Sequence, residues 1–265
     1  MTLDKFASEW TPDSLRDCFC THGCAVVREV VPTELLGRIN TAVEGAYRVR
    51  TDAVHIDGSD IQAADGELTG FEVADKPLLR GFLDRVYIGQ KYRPYNVVAR
   101  RIQGVQNNKE YQQPLDLHID AQFHSPCFTI NFWIPFVRAG LDRPGLCLVP
   151  VNYKRTRRYV GYTGQLLRED EFNCGYFDRG TLTVEAITRE FGADCFLKPV
   201  VNAGDLVVSS NWIIHGSHQT PDMPYGRTSM EVRFIGNTRD IVGVRPIVVG
   251  RSQSTMRVTR EQSSR

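Results

Sequence analysis

The chain of 265 residues is 42% hydrophobic and 24% charged with a formal net charge of +1, which provides for one large core or two modest ones and leaves no electrostatic footprint for nucleic acid. The first ten residues lack an apolar segment of signal-peptide length and no stretch approaches a membrane span, so the expectation is a cytoplasmic protein with neither membrane nor nucleic-acid partners. Seven cysteines, an odd number spread without a disulfide framework, agree with a reducing compartment.

The spacing predicts helix, strand and helix over residues 13–50. Asp13 or Ser14 is the expected cap of a first helix with Leu15, Cys18 and Phe19 on its apolar side and Gly23 as its stop. Cys18, Cys20, His22 and Cys24 alternate closely enough to suggest a zinc knuckle. A helix scatters alternate positions around its axis, however, and no second ligand pair follows, so buried structural thiols are the better reading. Cys24 to Val31 reads as a short strand, and Thr33 as the cap of a second helix carrying Leu35, Leu36, Ile39, Val43 and Tyr47 at helical spacing.

Residues 50–77 turn polar and rich in Asp and Gly, the signature of a functional or disordered loop. Inside it lies one His-x-Asp pair, His55-Ile56-Asp57, followed by Gly and Ser rather than by a strand pattern. A helix over 77–88 precedes a change of character to strands. Tyr95 to Ile102 is β-prone. Phe128 to Pro135 alternates, with Phe128, Ile130, Phe132 and Ile134 on one face and Thr129, Asn131 and Trp133 on a face suited to lining a cavity. Further strands are expected at Gly145 to Pro150, at Leu206 to Val208 after an Ala203-Gly204-Asp205 turn, and at Ser229 to Ile235. Many short strands after residue 90 favour a sandwich or jelly roll over a doubly wound α/β fold, and the Ser- and Arg-rich stretch 251–265 reads as a polar tail.

The second His-x-Asp pair lies in Leu115-Asp116-Leu117-His118-Ile119-Asp120. Two residues apart on an extended strand, His118 and Asp120 point the same way. A third ligand such as His215 from a neighbouring strand completes a 2-His-1-carboxylate triad, a set that leaves positions open on Fe(II) for substrate and dioxygen. His118 and Asp120 are preferred over His55 and Asp57 as ligands, leaving His55 as a lid or substrate contact. His124 is a candidate for an outer or substrate-contacting position, and His218 for a loop residue.

These residues resemble the phytanoyl-CoA dioxygenase (PhyH-like) branch of the Fe(II)/2-oxoglutarate dioxygenases over most of the chain. The opening SLRDCFCTHGCAVVREVVPTELLGRI is similar to that family's N-terminal helix, strand and helix; LHID matches its proximal iron motif; AGDLVVSSNWIIHGS and HGSHQTPDMPYGRTSMEVRF match the strands around its distal His. The resemblance implies a mainly β fold with flanking helices, a double-stranded β-helix (jelly roll, cupin-like), as one domain over 1–250 with a mainly helical part to residue 90 and the core from 91. It implies His118, Asp120 and His215 as catalytic iron ligands, with Arg227 and Ser217 holding the distal carboxylate of 2-oxoglutarate. Arg's planar fork suits that carboxylate, and Arg233 ranks second for the same task.

The implied cofactors are Fe(II), 2-oxoglutarate and O2, with succinate and CO2 released and an unactivated C–H bond of a small molecule hydroxylated. Desaturation, cyclisation and epimerisation are variants on the same site, and the carboxylate of Asp120 argues against halogenation. A cupin-like protein that binds metal without oxidative turnover is the alternative. The polar 50–77 segment and the basic run Lys154-Arg155-Thr156-Arg157-Arg158 suggest an anionic partner at the barrel mouth, and Phe123, Trp133 and Tyr153 an apolar portion, hence an amphipathic or anionic substrate. Homo-oligomerisation is open.

Overall fold

A computed structural model describes residues 2–66, 70–88, 91–104, 117–122, 128–160 and 182–236. The short strand β1 (Asp4–Phe6) leads to helix α1 (Pro12–His22), strand β2 (Cys24–Arg28) and helix α2 (Thr33–Val49). The cap of α1 is neither Asp13 nor Ser14. Thr11 accepts the Ser14 amide, and Pro12, with no N–H to satisfy, opens the first turn. Gly23 ends the helix at φ 73°, where an added Cβ would stand 2.7 Å from the carbonyl oxygen of Val151, so both conformation and space demand glycine. Thr33 does not cap α2 either; it is the first helical residue, after Pro32.

The described parts of the polar segment 50–77 carry regular structure where its composition suggests a loop. It holds strand β3 (His55–Asp57), helix α3 (Gly58–Asp65) and a 3-10 turn over Phe71–Asp75. The Asp57 carboxylate accepts the amides of Ser59 and Asp60 and so starts α3, while Ile56, Ile61 and Val73 are fully buried. His55 therefore has fixed geometry: it pairs with Arg100 across β3 and β4 (Tyr92–Ile102). Helix α4 (Pro77–Val86) falls where the periodicity places it.

The remaining elements are β5 (Thr129–Pro135), β6 (Gly145–Val149), α5 (Tyr153–Tyr159), α6 (Val184–Phe191), β7 (Leu206–Ser210), β8 (Ile214–His218) and β9 (Arg227–Gly236). The major sheet has seven strands in the order β1-β2-β7-β5-β9-β4-β3, antiparallel except for β1 with β2, and β6 pairs with β8 in a second, two-stranded sheet. Backbone bridges extend the second sheet on both sides, from His118 to His215 and from Leu197 to Leu148. This is a double-stranded β-helix, the jelly roll expected. The segment before residue 90 supplies β1, β2 and β3 to the major sheet, β2 lying where a strand is expected at Cys24 to Val31.

Alternation assigns the two faces of the major sheet. Ile130, Phe132, Ile134, Val232 and Phe234 face the helices, where Phe19 of α1 packs edge-on against Phe82 of α4 and Phe128. Arg101 lies on this side as well, 2.6 Å from Glu44 of α2. The opposite, concave face is divided. Toward β2 and β7 it is an apolar cluster that includes Val26, Trp133, Leu146, Leu148, Val207 and Ile213. Toward β9 and β4 it carries Arg227, Ser229, Glu231, Arg233 and Arg100. Residues 251–265 lie outside the described residues.

Candidate functional site

His118 and His215 meet on the second sheet, exchanging backbone hydrogen bonds of 2.9 Å in both directions, with their rings 4.4 Å apart between centroids. Asp120 is not on a strand with His118, as the two-residue spacing suggested. It opens a 3-10 turn over Asp120–Gln122, anchored by the Ala121 amide on the Asn211 carbonyl. The turn still delivers the carboxylate: Asp120 Oδ1 is 3.7 Å from Nε2 of His118 and 3.7 Å from Nε2 of His215. Among the described residues, His118, Asp120 and His215 form the one group of three or more His, Cys, Asp or Glu whose donor atoms converge, all within 4.8 Å of one another. His55 and Asp57 are not part of it, nor is the quartet Cys18, Cys20, His22 and Cys24.

The orientation of these groups is built in. His215 Nδ1 lies 3.1 Å from the Ile213 carbonyl, so the proton belongs on Nδ1 and the Nε2 lone pair faces Asp120 and the interior. The far side of the carboxylate is also occupied. Asn131 Nδ2 donates to Asp120 Oδ2, and Arg233 Nη2 stands 3.5 Å from the same oxygen while also bonding Glu231. His118, Asp120, Asn131 and Arg233 are all buried. Burial works against the charge on Arg233, but Glu231 and Asp120 outweigh it and hold its pKa above the ordinary value. Arg233, ranked second for cosubstrate, is thus committed to Asp120. Asn131, expected only to line a cavity, touches the carboxylate itself.

Arg227 is a different kind of arginine. The residue is 3% exposed, and its guanidinium stacks 5.0 Å over the Trp133 ring, donates to Ser229 Oγ and leaves Nε buried without a partner. It makes no ion pair among the described residues. Burial, and then the neighbouring Arg100, push its pKa down to about 9 against the pull of Glu231. A fully buried cation with no carboxylate in ion-pair contact is a demand for an anion. Ser217 lies on β8 two residues beyond His215, half-buried and opposite Leu146. Ser229, which the sequence reading overlooked, is the hydroxyl that holds Arg227; its place two residues further along the same strand face was the available signal.

Other candidates fall elsewhere. His218 ends β8 opposite Gly145 and is not a loop residue. Tyr153 is buried in the helix-side core against Phe128, away from the concave face. The basic run forms α5, where Arg157 lies 5.3 Å over Trp212 and Arg155 4.8 Å over Phe191. A surface depression lined by Glu34, Arg38, Thr41, Asp65, Glu72 and Lys76 sits on the helix side and includes none of the converging residues. Leu115, Asp116, Phe123 and His124 lie outside the described residues.

The architecture has counterparts among solved structures. The non-heme alpha ketoglutarate dependent carbocyclase SnoK from nogalamycin biosynthesis superposes with a TM-score of 0.62 at 14% identity, over 89% of this chain and 87% of that one. The epimerase SnoN in complex with Fe3+, alpha ketoglutarate and nogalamycin RO gives 0.56 at 15% identity, over 89% and 93%. AviO1 from Streptomyces viridochromogenes Tue57 gives 0.55 at 13%, over 89% and 97%. The chain shares their fold. No protein-family model matches the sequence, and no curated protein matches it. Among the described residues, no helix is long and apolar enough to cross a membrane.

Proposed function

We propose that the protein is an Fe(II)- and 2-oxoglutarate-dependent oxygenase acting on a C–H bond of a small molecule, with His118, Asp120 and His215 as the metal ligands. The observation that carries this reading is the single carboxylate oxygen of Asp120 facing both imidazole Nε2 atoms, while its other oxygen is held by Asn131 and Arg233. Two imidazoles and one carboxylate are the donor set of a facial site on iron, and three protein donors leave positions for other molecules. Support also comes from the fold neighbour SnoN, whose complex contains Fe3+ and alpha ketoglutarate.

The residues of the concave face also suit the cosubstrate. Arg227 is buried, cationic and without a carboxylate partner, and its planar fork suits the distal carboxylate of 2-oxoglutarate. Ser217 on β8 supplies the second donor to that carboxylate, and Ser229 fixes the rotamer of Arg227. Iron bound here supplies the coupled chemistry of dioxygen with 2-oxoglutarate, releasing succinate and CO2 and oxidising the substrate. The chain's own part is orientation. Ile213 fixes the His215 tautomer, Asn131 and Arg233 fix the Asp120 rotamer, and the Trp133 side of the barrel keeps water from Arg227.

Hydroxylation is the default outcome of such a site. Because the fold neighbours include a carbocyclase and an epimerase, cyclisation and epimerisation stand as alternatives on the same residues. The test is anaerobic titration of the metal-free protein with Fe(II) and 2-oxoglutarate, following the weak visible charge-transfer band of the chelate. The band should form in the wild type and in His55→Ala, and be lost in His118→Ala, Asp120→Ala and His215→Ala. A band lost only with His55→Ala, or absent from the wild type, would overturn the assignment.

A further inference from the structure

The concave face holds a third arginine that neither metal nor cosubstrate explains. Arg100 lies directly opposite Ser229 on the neighbouring strand, one diagonal step from Arg227, and directly opposite His55 on the other side. Its neighbour Arg101 points the other way, to Glu44 of α2, which places Arg100 on the interior side. The remaining charges near it are spoken for. Arg233 engages Glu231 and Asp120; the Asp57 carboxylate caps α3; Arg227 stacks on Trp133.

Arg100 has no ion pair among the described residues, and its buried Nε has no hydrogen-bond partner. Burial lowers its pKa, only partly offset by Glu231 and Tyr47. A half-buried guanidinium on the concave face beside a second cation is costly unless an anion arrives to meet it.

We infer that Arg100, with His55 beside it at the β3–β4 edge, is the seat of an anionic group, a carboxylate or a phosphate, on the primary substrate. This rests on the oxygenase reading, in which 2-oxoglutarate occupies Arg227 and leaves Arg100 for the second molecule. It also moves the anion contact from the α5 run, where the sequence suggested it, into the barrel. His55 is exposed at this edge, and desolvation followed by Arg100 lowers its pKa; its ring serves as a hydrogen-bonding partner to the same group.

The test uses fluorine NMR on the full chain, saturated with 2-oxoglutarate and Fe(II) without oxygen. The probes are trifluorobutyrate, trifluoroethyl phosphate and the neutral trifluorobutyramide. One or both anions should bind about tenfold or more tighter than the amide. Arg100→Gln should bring the preferred anion down to the level of the amide, Arg100→Lys should fall between, and Arg101→Gln should keep the preference. His55→Ala should weaken the anion less than Arg100→Gln does. Which anion is preferred distinguishes a carboxylate substrate from a phosphorylated one.

Equal binding of anion and amide by the wild type would overturn the inference, as would an anion preference that survives Arg100→Gln. Should Arg100→Gln not fold, unchanged anion binding by Arg100→Lys would do the same. The chelate band recorded on the same samples separates the two readings. A band without anion preference sinks the Arg100 site alone. Anion preference lost with Arg100→Gln in protein that forms no band keeps the site and sinks the oxygenase.

Discussion

The main chains of His118 and His215 are locked together by two hydrogen bonds of 2.9 Å, so the two imidazoles are brought side by side by backbone and not by each other. Removing either side chain leaves that bridge in place. His118→Ala and His215→Ala should therefore keep the metal-free fold, with a loss of about 1–2 kcal/mol for the side-chain contacts each gives up. Urea titration of metal-free protein checks this. Metal binding, followed on the same variants, should be lost, which separates a functional pair from a structural one.

Asn131 and Arg233 should matter to metal affinity without touching the metal. Both hold Oδ2 of Asp120, and outer partners of this kind typically contribute about 10–100-fold in affinity. Asn131→Leu and Arg233→Met are expected to weaken Fe(II) binding by such factors in an anaerobic competition with a chelator. Arg233→Met also leaves Glu231 without its partner, so it should be the less stable of the two.

Much of this site was legible in the sequence because strand alternation is a strong signal. Phe128 to Pro135 and Ser229 to Ile235 sort onto the faces their alternation predicts, and the His-x-Asp pair with a distant His converges as expected. Three things were not legible. Asp120 reaches the histidines through a 3-10 turn, and spacing alone cannot distinguish that turn from a strand. The 50–77 segment looked like a loop because its apolar anchors, Ile56, Ile61 and Val73, are isolated among polar residues. Only tertiary burial turns such sparse anchors into β3 and α3. Finally, the proposed division of three arginines among Asp120, a cosubstrate and a substrate rests on cross-strand register, which brings Arg100 beside Ser229 over a sequence separation no local pattern reports.

A second polar centre holds the far edge of the sheet. Asp205 is 2% exposed, takes Arg28 at 2.7 Å, and accepts the amides of Glu29 at 3.0 Å and Asn202 at 2.8 Å. Arg28 in turn reaches Asp4, so one carboxylate ties β1, β2 and the turn before β7 together. Asp205→Ala leaves the Glu29 and Asn202 amides without their acceptor and Arg28 with Asp4 and the Val200 carbonyl alone, with an expected loss of about 2–3 kcal/mol. Chemical denaturation should show a lower midpoint with an unchanged slope. A midpoint within error of the wild type would mean that the corner is held by the strands alone.

Arg227 makes the opposite prediction, that of a residue retained at the expense of stability. Without cosubstrate it is a buried cation beside Arg100 with an orphaned Nε, and a well-packed apolar residue of similar volume removes that cost. Arg227→Met should melt no lower than the wild type in the absence of 2-oxoglutarate. Adding 2-oxoglutarate with Mn(II) as a redox-silent metal should raise the wild-type melting temperature, because a molecule that binds only the folded state stabilises it. The same addition should leave Arg227→Met unmoved, and Arg227→Lys should respond weakly, having the charge without the fork. A full shift in Arg227→Met would mean that another cation, with Arg100 the nearest, holds the distal carboxylate, and would exchange the roles of the two arginines.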